Sequence, residues 1–89
     1  MNKCEVYILK SLKNNNYYVG STDNIERRLL QHNSGLTYTT KKLRPLVLAR
    51  FISCSSSREA KQFEYKLKKY KRKDILEKVI KDGIFPWNY

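Results

Sequence analysis

The chain has 89 residues, with 19 Lys and Arg against 8 Asp and Glu for a formal charge of +11, and a hydrophobic fraction of 40% that includes seven Tyr, three Phe and one Trp. So short a polymer builds one small core, expected as a single domain over 1–89 with its core at about 3–83 and a tail at 84–89, and the apolar content excludes an intrinsically disordered chain. The charge points to a polyanionic partner; no apolar run approaches the ~20 residues of a membrane span, and "MNKCEVYILK" lacks the length and cleavage site of a signal peptide, so a cytoplasmic protein without a membrane partner is expected.

Along the chain, "CEVYIL" alternates, with Cys4, Val6 and Ile8 on one face and Glu5, Tyr7 and Leu9 on the other, which predicts a strand. The polar "KSLKNNN" makes a hairpin loop to a second strand, "YYVGS", placed as an antiparallel partner. Asp23 with Glu26 forms a capping-box-like start and Gly35 a stop, so a helix of about ten residues lies between them. A Thr- and Lys-rich loop leads to Pro45, which opens a third strand, "PLVLARFIS". Ser56 and Glu59 form a second capping box for a helix running to about Tyr70, and "DILEKVIKDG" is a shorter helix closing on Gly83. The tail "IFPWNY" is apolar enough to pack. Cys4 and Cys54 stand outside any CxxC or CxxH spacing and read as reduced, partly buried thiols. The order strand, strand, helix, strand, helix, helix predicts an α+β fold, a three-stranded antiparallel sheet flanked by helices.

Several charged residues fall where a purely structural pattern would not put them. At 100° per residue, Ile25 and Leu29 define the buried stripe of the first helix, while Arg28 and His32 border it, four residues apart and facing the sheet. A guanidinium there needs an anionic partner. In the second long helix Ala60, Phe63, Leu67 and Tyr70 form the apolar stripe, and Glu64 sits on its shoulder amid Lys and Arg. Spacing alone also allows Glu64 an ordinary ion pair with Lys61 or Lys68. Tyr7 and Tyr18 lie on the hairpin strands, where their hydroxyls face one space if the register matches. Gly20 ends the second strand, and its missing Cβ would let backbone or phosphate approach the helix N-terminus. Arg27 and the run "KLKKYKRK", with Lys66, Lys68, Lys69, Lys71, Arg72 and Lys73, read as a track for DNA backbone contacts or as a solvated cationic face.

Tyr7 in "EVYIL", Tyr18 to Gly20 in "YVG", Arg28 and His32 in "RLLQH", and Glu64 in "REAKQFEYKLKK" form an ordered set that resembles the GIY-YIG nuclease domain. The likeness is greatest to the small standalone members related to the nuclease domain of the bacterial excision-repair endonuclease, and it runs from about Lys3 to Gly83. The resemblance implies a divalent-metal-dependent endonuclease that hydrolyses DNA phosphodiester bonds, structure-directed or weakly sequence-specific, with a role such as DNA repair. It places the family's two tyrosines on Tyr7 and Tyr18, its glycine on Gly20, its arginine on Arg28, its histidine-or-tyrosine position on His32 and its metal-binding glutamate on Glu64. Glu5-Val6-Tyr7 departs from the family's first triplet at the glycine and the isoleucine.

Chemically, a lone carboxylate such as Glu64 suits Mg²⁺, which takes oxygen ligands and keeps much of its water, and Mn²⁺ would substitute. Arg28 is suited to hold the scissile phosphate. The general base is Tyr7, its phenol lowered by nearby cations, or His32 with the roles exchanged. Targeting would come from DNA shape, a partner protein or a homodimer. The alternative is a catalytically inactive DNA- or RNA-binding module of the same fold.

Overall fold

The structure, a computed structural model, describes residues 4–35, 38–70 and 73–85. Its elements are β1 (Cys4–Ser11), β2 (Tyr17–Thr22), α1 (Ile25–Asn33), a 3-10 helix (Tyr38–Leu43), β3 (Leu46–Cys54), α2 (Ser57–Tyr70) and α3 (Lys73–Asp82). Both strand pairings are antiparallel and the order is β2-β1-β3, the three-stranded α+β sheet expected. Leu36, Thr37, Lys71, Arg72 and the tail from Pro86, as well as the side chain of Tyr70, lie outside the described residues.

β1 is central, which is why its sequence is a nearly unbroken apolar run: both of its faces are covered. Val6 and Ile8 pack with Val19 against Ala60 and Leu67 of α2 and Leu76 and Val79 of α3. On the other face Tyr7 and Leu9 pack with Leu46, joined by Tyr18, Ile25, Leu29 and Leu48, so α1 covers this side. Full burial of each such aliphatic side chain is worth ~1.5–3 kcal/mol before entropy is counted. The tail packs as far as it is described: Phe85 is buried, its ring centroid 4.7 Å from that of Phe63. Among the described residues no helix is long and apolar enough to cross a membrane.

Some local expectations shift. β1 runs on to Ser11, because the buried Ser11 hydroxyl donates to the Leu43 carbonyl at 2.6 Å and anchors the hairpin, leaving a loop of only Leu12–Asn16. At the start of α1 the cap is Asn24 rather than Asp23: the Asn24 Oδ1 accepts from the Arg27 N–H at 3.0 Å, and Asp23 pairs with the Arg27 side chain instead. The second capping box stands, with Ser56 Oγ accepting from Glu59 N–H, while the Glu59 carboxylate reaches back one residue further, to Ser55 N–H and Oγ. α3 ends at Gly83, with φ at +73°, and the Arg50 guanidinium donates to the Ile80 and Lys81 carbonyls.

Candidate active site

β1 and β2 pair with Tyr7 opposite Gly20 and Leu9 opposite Tyr18, which puts both phenols on the face covered by α1. Gly20 is fourth of the six residues of β2 rather than at its end. A Cβ there would overlap the Tyr7 phenol, so the room credited to an approaching phosphate is taken by the Tyr7 ring. Gly20→Ala is therefore expected to lose ~1–3 kcal/mol by overpacking. The loss should shrink in a Tyr7→Ala background, a coupling that urea denaturation of the four proteins measures.

α1 brings Arg28 and His32 onto the same phenol. The Tyr7 hydroxyl lies 2.9 Å from His32 Nε2, and Arg28 Nε donates to the Tyr7 oxygen at 3.4 Å. A second Arg28 nitrogen donates to Gln31 Oε1 at 3.1 Å, which fixes the guanidinium plane. The rings close the cluster: Tyr7 to Tyr18 is 6.5 Å between centroids and Tyr18 to His32 is 5.1 Å. His32 is not at the edge of the α1 stripe, as helical spacing suggests, but fully buried, because it fills the space between the two phenols and the sheet.

The electrostatics correct a second expectation. Burial pushes the Tyr7 phenol above its ordinary value, and the hydrogen bond and charge of Arg28 only partly oppose it; Tyr18 and Glu64 add to the rise. The cationic field does not make a resting phenolate. Burial and the Arg28 charge push His32 below its ordinary value of 6.5, so its ring is neutral at pH 7 and one nitrogen accepts a proton.

Glu64 comes from α2, on the opposite side of the sheet, and meets the cluster at the β2 edge. Ser21 Oγ donates to Glu64 Oε1 at 2.5 Å and Lys68 Nζ donates to Oε2 at 2.6 Å. The same ammonium lies 5.7 Å from the Tyr18 ring centroid, so Lys68 links the carboxylate to the aromatic cluster. The Glu64 side chain is 20% exposed, not out in bulk water. Burial raises its carboxyl, but the hydrogen bonds from Lys68 and Ser21 and the charges of Lys68 and Lys61 win and hold it below the usual carboxylate range. Both the resemblance-derived role and the plain ion pair thus fall on this residue: it pairs with Lys68, and it does so beside the phenols.

Four of the five chemical side chains therefore gather on one face, and the fifth reaches their border through Ser21 and Lys68. Ser21 went unnoticed in the sequence, although its signal was available: it alternates with Val19 onto the α2 face of β2. Gln31 carried no signal beyond its spacing from Arg28. The basic track does not form as one stripe, since a helix spreads such a run around its axis. Lys66 lies by Phe63, Lys69 by Tyr65 and Lys73 by Tyr17, Arg27 pairs with Asp23, and only Lys68 stands at Glu64. Lys71 and Arg72 fall outside the described residues.

The family profile of the GIY-YIG catalytic domain matches residues 3–79. This chain belongs to the GIY-YIG family. Family members are in general endonucleases, so nuclease-type chemistry is the class of activity to which this arrangement belongs. The chain is also similar to UPF0213 proteins. It is 40% identical over 80 residues to one from Staphylococcus haemolyticus, covering 89% of this chain and 96% of the relative. A UPF0213 protein of Clostridium perfringens is 36% identical over 85 residues, covering 94% and 90%. YazA of Bacillus subtilis is 41% identical over 68 residues, covering 75% and 68%. As a GIY-YIG domain the chain keeps both tyrosines, the arginine, the histidine and the glutamate in family order, while carrying Glu5 and Val6 in the first triplet.

Family members generally use a divalent metal, and the donor set here fits one of modest demand. Among the described residues no group of three His, Cys, Asp or Glu side chains converges. One oriented carboxylate, already satisfied by a cation in the form of the Lys68 ammonium, suits an ion that keeps most of its shell as water and substrate oxygen.

Proposed function

We propose that this protein is an endonuclease that hydrolyses DNA phosphodiester bonds with Mg²⁺, or Mn²⁺ in its place, held by Glu64. The observation that carries this reading is the Tyr7 hydroxyl shared between His32 Nε2 and Arg28 Nε at the border of an oriented carboxylate. A core without chemistry to perform has no use for a buried phenol, imidazole and guanidinium joined through one oxygen.

When bound, the divalent ion supplies Lewis-acid stabilisation of charge on the phosphate. The chain's own residues do the rest. Arg28, its plane fixed by Gln31, presents its remaining N–H donors to a phosphate oxygen and offsets the charge that develops there. Tyr7 remains a phenol at rest. It takes the proton of the attacking water while passing its own to Nε2 of His32, so the two share the base role that sequence alone left open between them. Tyr7 and His32 are both closed to solvent, whereas Tyr18 and Arg28 are half-buried and form the solvent-facing side of the cluster. Ser21 orients the Glu64 carboxylate.

The pH dependence follows from His32. Its folded value lies below 6.5, so it accepts protons at pH 7 and ceases to do so as pH falls through that lower value. The acid limb of a pH–rate profile is expected below 6.5. Stability moves in the same direction: the unfolded chain takes up this proton first as pH drops, so the folded state loses stability below 6.5. An acid limb above that value, with no change in protein concentration or fold, would rule out a neutral His32 as acceptor.

Binding to duplex DNA, single strands and RNA, titrated with salt with and without Mg²⁺, separates this reading from a binding module without activity. The nuclease is expected to bind duplex with a steep salt dependence and little base preference, and to cut only with metal. Equal retention of all three nucleic acids with no cutting under any metal condition would favour the binding module. DNA shape, a partner protein or self-association directs the enzyme to its sites in this scheme, and the cytoplasm is its compartment.

A further inference from the structure

Both oxygens of Glu64 are already engaged within the chain. Ser21 holds Oε1 at 2.5 Å, and Lys68 Nζ closes on Oε2 at 2.6 Å while resting 5.7 Å from the Tyr18 ring centroid. An ammonium and a divalent ion cannot share one side of a carboxylate oxygen, because like charges at that separation repel strongly in a partly desolvated site. The two partners differ in freedom: the Lys68 side chain is 47% exposed and ends a flexible four-carbon stem, whereas Ser21 is fixed on β2. If one cation leaves, it is Lys68.

We infer that Lys68 is the resident cation of the site, holding the Glu64 carboxylate in place in the metal-free protein and leaving Oε2 when a divalent ion binds. The inference rests on the assignment of Glu64 as metal ligand and adds that metal loading is an exchange rather than an addition. The exchange sets the metal concentration at which the site fills, since each binding event must first break a charge-assisted hydrogen bond. Lys61 makes the necessary comparison: its charge also lowers the Glu64 carboxyl, but no hydrogen bond joins the two among those that fix the carboxylate. Loss of either lysine removes one positive charge; only loss of Lys68 vacates the oxygen.

The test is Mn²⁺ binding to the nucleic-acid-free protein, read from the electron paramagnetic resonance signal of free Mn²⁺, for wild type, Lys68→Met, Lys68→Arg, Lys61→Met and Glu64→Gln. Circular dichroism melts confirm that each variant folds. Lys68→Met is expected to bind Mn²⁺ about five- to tenfold more tightly than wild type. Lys68→Arg, which keeps a competing cation, should stay near wild type, and Lys61→Met should gain no more than about twofold. A Lys68→Met affinity equal to or weaker than wild type, or matched by Lys61→Met, overturns the exchange while leaving Glu64 as ligand if Glu64→Gln has lost Mn²⁺ binding. Unchanged Mn²⁺ binding in Glu64→Gln overturns the ligand assignment itself and the exchange with it.

Discussion

Replacing Glu64 by glutamine is expected to lower DNA cleavage by roughly 10³-fold or more while leaving duplex affinity within severalfold of wild type. The substitution keeps the size of the side chain and its ability to accept from Ser21, so packing along the β2 edge persists. It removes the negative charge that Lys68 and Lys61 now balance and that a divalent ion requires. An amide oxygen is a poor ligand for a hard dication when it is the only protein donor in reach. Because the mutation makes this surface more positive, phosphate attraction does not fall, and binding separates cleanly from cutting. Single-turnover cleavage of a labelled duplex at saturating protein, alongside anisotropy in Ca²⁺, measures the two quantities separately. Cleavage within tenfold of wild type would show that the carboxylate is only a partner for Lys68.

Tyr7→Phe is expected to have the second-largest effect, a loss of roughly 10²–10⁴-fold in the cleavage step. The phenyl ring keeps the contacts of a residue 1% exposed at the centre of the sheet, so the fold survives. What goes is the single oxygen that joins His32 to Arg28. Removing it takes that partner from His32 Nε2 inside the protein, a cost of ~1–3 kcal/mol that urea denaturation will read. The same variant should lose the acid limb assigned to His32, since no proton remains to be relayed. A Tyr7→Phe protein that cuts at near wild-type rates with an intact acid limb would place the base elsewhere, with Tyr18 the next residue to test.

Much of this is legible in the chain before any coordinates, and the reasons are physical. The alternation in "CEVYIL", the Asx and glycine signals around α1 and the Ser56–Glu59 box depend on local geometry, which sequence reports directly. So does the four-residue spacing that puts Arg28 and His32 on one side of α1. The depth of His32 is not legible, because it depends on what fills the space between Tyr7 and Tyr18, a tertiary fact. Gly20 shows the same limit: its lack of a Cβ is evident, but only the cross-strand register reveals that the Tyr7 ring needs the room. Net charge gives the wrong sign for the Tyr7 shift, because in a closed space desolvation outweighs the cationic field. The lysine run looks continuous in sequence but is scattered by the helical turn, so that one lysine, Lys68, faces the carboxylate and the rest lie over other rings.

These features have a common thread. The sheet places two phenols on one face, α1 adds a guanidinium and an imidazole to the same oxygen, and α2 brings a single oriented carboxylate to the β2 edge. With so few protein donors, the division of labour must be strict: positive charge and proton transfer come from the chain, and the dication comes from solution.

The most direct measurement is incubation of the purified protein with supercoiled plasmid in Mg²⁺, in Mn²⁺ and in EDTA, with the Glu64→Gln protein prepared in parallel. Conversion to nicked or linear plasmid by the wild-type protein in either metal, and neither in EDTA nor with the variant, is the expected result. Intact plasmid in both metals, or equal conversion by wild type and variant, would contradict it.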